Sequence, residues 1–358
     1  MVESQSVTVA SRTEPKPPVG VIESLTTGFE TTASHIGLAL FPLLLDLFLW
    51  FGPHLSIFPL AEGLIKFISE QPAPDEANAQ LLQLMVERLK VEAAQNVFNR
   101  LSPTPLGIPV LMGDEPLGGN PAGYPLVWPI DSGLGLLTLA LGLSIVGLLL
   151  GTVYFVLIGA LFDDGERPTW GGIAKRVLVN WARLTTLSVI VSVFGIGVGL
   201  ILFLCLGVLL VGLFVLTQFI PFSLDVGLIL VAVSEVIAGS LLLWLILLLA
   251  FSMHGMVLKN RGVLGSMWDS VRLVQWNLLP VMSLFTLIYL INAGLSYLFN
   301  LPAPDSWLRL AGIGGHAFVS TGLVAATFVF YKDRYRWWTE MRQWLMAQKR
   351  KQLVNNKQ

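Results

Sequence analysis

Three stretches follow one another here: LILVAVSEVIAGSLLLWLILLLAFSM (Leu228–Met253), MVLKNRGVLGSMWDSVRLVQWN (Met256–Asn277) and LLPVMSLFTLIYLINAGLSYLF (Leu278–Phe299). Both apolar stretches exceed the roughly 20 residues that a helix needs to cross a bilayer. Inside hydrocarbon every backbone polar group must be bonded internally, so stretches of this kind are read as helices. The connector between them carries Lys259, Arg261 and Arg272, which places it on the cytoplasmic side by the positive-inside bias. That unit orients everything else.

Of the 358 residues 54% are apolar and only 13% charged, with a mean hydropathy of +0.72. Such a balance excludes an ordinary soluble domain and points to an all-α integral membrane protein. One cysteine, Cys205, lies in an apolar run and leaves no intrachain disulfide. The first 35 residues are polar and include Pro15, Pro17 and Pro18, unlike a cleavable signal peptide, so the first span is expected to act as an uncleaved anchor.

Outward from the opening stretch, residues 1–34 form a polar tail whose last part, Val21–Thr32, is amphipathic enough for a membrane surface. A first span is expected over 35–59. Residues 60–132 read as an extracytoplasmic loop or cap. Leu82, Met85, Leu89, Ala93, Val97 and Leu101 recur there at helical spacing, and an irregular stretch with Pro103, Pro105, Pro109 and Pro116 follows, expected to lie over the outer mouth of the bundle. A five-span membrane domain covers 133–332, with spans at 133–162, 184–211, 226–257, 277–300 and 310–331. Gly147 and Gly151 offer a small-residue face for close helix contact. Trp170–Arg183 reads as an interfacial helix with Lys175, Arg176 and Arg183 on its polar side. The 41 uncharged residues from Leu184 to Leu224 exceed one crossing and must break. Counting one span there keeps the strongly basic connectors and the tail on one side, with only Arg309 in the short outer connectors and the long 60–131 loop largely exempt from the rule, which yields a six-helix transmembrane bundle with both termini cytoplasmic. Residues 333–358 form a basic cytoplasmic tail. LVNW (Leu178–Trp181) and LVQW (Leu273–Trp276), each ahead of an apolar span, suggest a duplicated two-span unit.

Gly262, Ser270 and Leu273–Val274, in an amphipathic helix that leads into the next span, resemble the membrane domains found beside some glycerophosphodiester phosphodiesterases. The chain is similar also to the related six-span bacterial proteins of unassigned function, which LLLDLFLWFGP in the first span resembles. The resemblance covers about residues 134–330 and implies a six-helix bundle in a bacterial inner (plasma) membrane. No stretch here reads as a phosphodiesterase barrel, so it brings no catalytic residue with it.

Asp46 and Glu235 stand about ten residues inside their spans, roughly 15 Å, and so near a bilayer midplane. Carboxylates at that depth are costly and are functional candidates by default. No lysine or arginine sits level with them, so desolvation favours their protonated forms. Two readings are open. The two carboxyls share a proton or cation, or each is a neutral group hydrogen-bonded to a neighbouring helix, with Ser234, Tyr289 and Asn292 as available partners. Among the histidines, His35 and His254 fall towards the cytoplasm, and His54 and His316 towards the outside. His316, among the small residues of AGIGGHAF, leaves room for a tetrapyrrole ring, or simply packs closely. Gly195, Gly197 and Gly199 permit a helix break along a substrate path or close packing. Met112–Gly123 has the glycines of a phosphate cradle but no following helix. No motif of a soluble enzyme is present.

The expected function is non-enzymatic: a membrane component that assembles, scaffolds or regulates others, without a cofactor. Its partners would be the lipid bilayer, other membrane proteins, and anionic lipids through the basic tail, and not nucleic acid. A small permease that uses Asp46 and Glu235 is the alternative. A membrane-embedded lipid enzyme is a third class, with no motif behind it.

Overall fold

The computed structural model describes residues 14–72, 76–113, 118–163, 169–217 and 224–355. Among them the only sheet is a pair of parallel three-residue strands, β1 (His54–Ser56) and β2 (Val127–Pro129). The rest is dominated by helix. Five helices are long and apolar enough to cross a membrane, or six if one bent pair is a single crossing.

That bent pair is the expected first span. Helix α1 (Val21–Ser34) meets a short 3-10 turn at Ile36–Ala39 and then α2 (Leu40–Phe51), and the two halves are inclined by 92°. The break falls at His35, whose N–H bonds the Thr31 and Thr32 carbonyls and closes α1, while Pro42, inside α2, cannot donate to the Leu38 carbonyl. The span expected over 35–59 therefore ends at Phe51, and α3 (Phe58–Ser69) pairs with α4 (Glu76–Ala93) in a peripheral hairpin. Helix α4 stops short of the expected Leu101. Asn96 takes the chain out of helix by accepting the Phe98 amide at 3.1 Å and the Leu55 amide of β1 at 3.0 Å.

Rather than standing apart as a surface helix, α1 packs along α11 (Arg309–Asn355) in antiparallel sense. Its buried residues Ser24, Leu25, Gly28 and Thr32 follow one helical face. The contact is tight enough that a Cβ at Gly28 would lie 2.5 Å from Ala326 N, and one at Gly322 would lie 2.5 Å from the Phe29 ring. At the α1 start, Val19 N donates to Asp333 Oδ2 at 2.6 Å and Arg334 donates to Val19 O at 3.1 Å.

Helix α5 (Gly133–Leu161) follows β2, and α6 (Trp170–Thr217) runs unbroken for 48 residues, about 72 Å. The separate interfacial helix expected at Trp170–Arg183 is thus the first part of a single rod. No proline interrupts 170–217, so nothing stops propagation once the helix has nucleated. The same holds for α11, which carries the tail beyond Tyr331 as helix. Helix α7 (Leu224–Leu249) does break, before α8 (Ser252–Lys259). Ser270 of α9 (Val263–Trp276) holds the break by accepting the Phe251 amide at 3.1 Å and donating to Leu248 O at 2.7 Å. Asn260, at φ 50°, closes α8 in the left-handed region that asparagine tolerates. Helix α10 (Leu278–Phe299) then starts at a turn on Asn277. LVQW thus ends a helix at a turn, whereas LVNW lies inside a straight one, and the two are not structurally equivalent.

The main core joins α2, the second half of α5, the start of α6, α8 and α11 through Leu45, Trp50, Tyr154, Ile158, Leu184, Met256 and Phe328. A Gly28→Leu substitution is expected to part α1 from α11 at a cost of about 1–3 kcal/mol, the usual range for overpacking. It should lower the thermal midpoint in detergent and open the chain to protease near Gly20. Gly197→Leu, where a side chain meets nothing within 4 Å, should leave both unchanged. Equal behaviour of the two variants would remove the α1–α11 contact from this account.

Candidate functional site: a proline-rich loop among the helices

The stretch Ser102–Met112, which follows a 3-10 turn at Val97–Leu101, has no place in a helix, because Pro103, Pro105 and Pro109 each remove an N–H and restrict the residue before them. The expected position over the mouth of the bundle is not the one found: the loop lies against the flank of α5. A Cβ at Gly147 would lie 2.5 Å from Leu101 O, and one at Gly151 would lie 2.5 Å from Leu106 O. Those glycines are about 21 and 27 Å along α5 from Gly133, at 1.5 Å per residue. The small-residue face expected to meet another helix thus meets loop carbonyls.

Backbone groups there need partners, since an orphaned buried amide costs about 1–3 kcal/mol. Asp46 supplies them. Oδ1 accepts Leu111 N at 2.7 Å and Met112 N at 2.8 Å, and the side chain is fully buried. Within the loop, Leu106 N donates to Pro103 O at 2.9 Å and the Ser102 hydroxyl donates to Ile108 O. The other carboxyl oxygen, Oδ2, stands 3.4 Å from His316 Nδ1, and neither atom makes a hydrogen bond among the described residues.

Beneath the loop is a cavity of about 270 Å³, walled by Pro105, Leu148, Phe155, Leu187, Val191 and Met253. Its polar lining includes Ser188, Ser192, His254 and Thr327. His254 packs among Phe251, Phe328 and Tyr331, with ring centroids 5.4, 4.4 and 5.6 Å away. Its Nε2 lies 2.8 Å from Thr327 Oγ1, and that oxygen lies 2.6 Å from Val324 O. Which of Nε2 and Oγ1 donates follows the imidazole tautomer. Such a cavity suits an apolar chain, with few polar groups to orient it.

Of the residues singled out from the sequence, Asp46 is placed on the loop amides and on His316. Tyr289 and Asn292 are exposed on α10, whereas the carboxyl of Asp46 meets Leu111 N, Met112 N and His316. Ser234 is half-buried on α7 and has a partner of its own. Glu235 falls on α7 too, and its side chain is outside the described residues. His54 pairs with β2 through its backbone, and its ring faces Leu49 O at 3.4 Å; burial lowers its pKa from 6.5, which leaves it neutral at pH 7. His35 is exposed, with Nδ1 3.1 Å from Thr31 O. Helix α6 passes straight through Gly195, Gly197 and Gly199, so no break forms there. Of Met112–Gly123, residues 114–117 lie outside the described residues, and Asn120 donates to Trp50 O at 3.1 Å. Among the described residues no three or more histidine, cysteine, aspartate or glutamate side chains gather to hold a metal ion.

Sequence reasoning missed that Asp46 serves the loop. A signal existed: a lone carboxylate in one element and a run of prolines in another both imply unsatisfied backbone nearby, and either one can answer the other.

No protein-family model, curated protein or solved structure matches the chain. Fold and site define a class nevertheless: a helical chain with five helices fit to cross a membrane and an irregular loop lodged among them.

Asp46→Ala should release Leu111 and Met112, with a loss of about 1–3 kcal/mol for each amide left unpaired. Hydrogen exchange at those two amides should accelerate markedly, and Asp46→Asn, which keeps one carbonyl acceptor, should fall between. Unchanged protection in Asp46→Ala would show that the loop is held by something else.

Proposed function

We propose that this protein is a non-enzymatic component of a membrane that assembles with other membrane helices. The observation behind it is the uneven burial of its apolar helices. In Arg309–Lys349 61% of the most apolar window is buried, but only 6% in Trp170–Cys205 and 11% in Leu278–Phe299. Lipid has no hydrophobic drive to press helices together, so association in a bilayer depends on close packing and small residues. Gly197, Gly199, Gly207 and Gly294 stand on these sparsely covered helices with open space where a side chain would begin.

In this reading the bent α1–α2 pair is the first of six crossings. The end of the molecule that carries Lys259, Arg261, Arg272 and the α11 extension faces the cytoplasm of a bacterium, as the bias of cations and the resemblance in the amphipathic connector both support. Purified in lipid nanodiscs, the wild type is expected to appear by native mass spectrometry as an oligomer or with a stoichiometric partner. Gly199→Leu/Gly207→Leu should yield the lone chain with its thermal midpoint kept. A wild type that is monomeric and unaccompanied would end the proposal.

A second reading, a small permease component, draws on the cavity under the proline-rich loop and on Asp46 and Glu235. Val191→Trp, which fills that cavity, should then stop solute flux into vesicles without loss of folded yield, and undiminished flux would eliminate it.

A further inference from the structure

At the basic end of the molecule α9 and the extension of α11 diverge and leave a cleft. Its inner part is a narrow notch between Asp269, Arg272, Asn277, Arg334 and Tyr335. The outer part, about 440 Å³, is walled by Trp276, Trp337, Trp338, Met341, Leu345 and Met346, with Arg272 and Arg342 at its edge. Arg272, Trp276 and Trp338 line both parts, so the two are continuous.

The charges of this cleft are not balanced from within. Asp269 is held by Arg261 at 3.1 Å, and Asp333 by Arg336 at 3.1 Å and by Val19 N at 2.6 Å. Arg272 and Arg342 have no ion pair among the described residues; each guanidinium only rests near an indole, at 5.0 Å from Trp268 and 5.7 Å from Trp338. Arg334 is the less ordinary case. It is 4% exposed, its guanidinium stacks 3.6 Å from the Phe330 ring, and one nitrogen donates to Val19 O, yet its Nε has no hydrogen-bond partner. A buried guanidinium with an open donor, lining the same notch as Arg272, is what an oxyanion ligand would complete.

We propose that this cleft binds one anionic phospholipid, with its phosphate held by Arg272 and Arg334 at the notch, Arg342 on the outer rim beside the headgroup, and an acyl chain laid along Trp276 and Trp338. Arginine forks match phosphate oxygens in pairs, which a diffuse attraction to a basic tail does not require. The outer wall selects lipid over a free anion. Trp276 is 71% exposed and Leu345 54%, and a soluble phosphate would leave both in water whereas an alkyl chain covers them. The cleft also adjoins the Trp268, Trp276, Trp337 and Trp338 indoles, the residue type that sits at headgroup level. Basic clefts between apolar helices on the cytoplasmic side bind anionic headgroups by the same logic. The inference rests on the membrane placement proposed above, and is independent of whether the protein assembles with others.

The test uses the full chain in phosphatidylcholine nanodiscs, titrated with phosphatidylglycerol of the same acyl chains and read by native mass spectrometry. One phosphatidylglycerol is expected to stay with each chain. Arg272→Gln/Arg342→Gln should reduce its retention at least tenfold with the thermal midpoint in phosphatidylcholine unchanged, whereas Lys175→Gln/Lys349→Gln, which removes equal charge elsewhere, should retain it. Should the double variant not fold, Arg342→Gln alone, at an exposed position, should still weaken retention. Equal loss in both charge variants, or equal retention of phosphatidylcholine, overturns the proposal. So does inorganic phosphate that raises the thermal midpoint as far as the lipid does, since the site would then take a free anion. Failure of the assembly reading would leave these results readable on single chains, and failure of the membrane placement would appear first, as a chain that stays dispersed without detergent or lipid.

Discussion

A stretch of backbone that cannot be helical but lies among apolar helices must have its amides answered by something other than water, and Asp46 does so for Leu111 and Met112. Much else is arranged to permit that. The proline content of the loop reduces how many N–H groups need an answer. Gly147 and Gly151 let its carbonyls approach α5 to a distance that any side chain would forbid. The bend between α1 and α2 turns α2, and Asp46 with it, by 92° from the line of α1. A carboxylate, two glycines and three prolines, far apart in sequence, thus serve one local requirement for backbone hydrogen bonds.

The same logic recurs at the α7–α8 break. There a helix interruption frees the Leu248 carbonyl and the Phe251 amide, and one hydroxyl, that of Ser270, bonds both. Side-chain oxygens in this protein are matched to places where the helical ladder stops. His254 is a related instance, its Nε2 held 2.8 Å from the Thr327 hydroxyl within an aromatic cluster.

Glycine illustrates how far packing can be inferred from residue type. Gly28 of α1 and Gly322 of α11 permit helix contact, Gly147 and Gly151 of α5 admit a loop, and Gly197 and Gly199 face open space. One residue type in three settings serves three purposes, and the pattern along the chain does not distinguish them. Burial divides in the same way. Helix α11 is well covered and α6 is nearly bare, although both are long, apolar and free of proline.

Composition and the length of the apolar runs determined that this chain is helical and has helices fit to cross a membrane, because backbone in hydrocarbon allows few other solutions. Asn96 carried a local signal for where the chain leaves a helix. Only the tertiary structure decided that the proline-rich segment lies beside α5, that α1 runs along α11, and that Asp46 bonds to a loop and not to the candidate partners Ser234, Tyr289 and Asn292. The reason is physical. Helix formation depends on near neighbours in the chain, whereas the satisfaction of a buried amide or the seating of a carbonyl on a glycine depends on groups 65 residues away, as with Asp46 and Leu111. No periodicity encodes such a distance; it is settled when the elements pack.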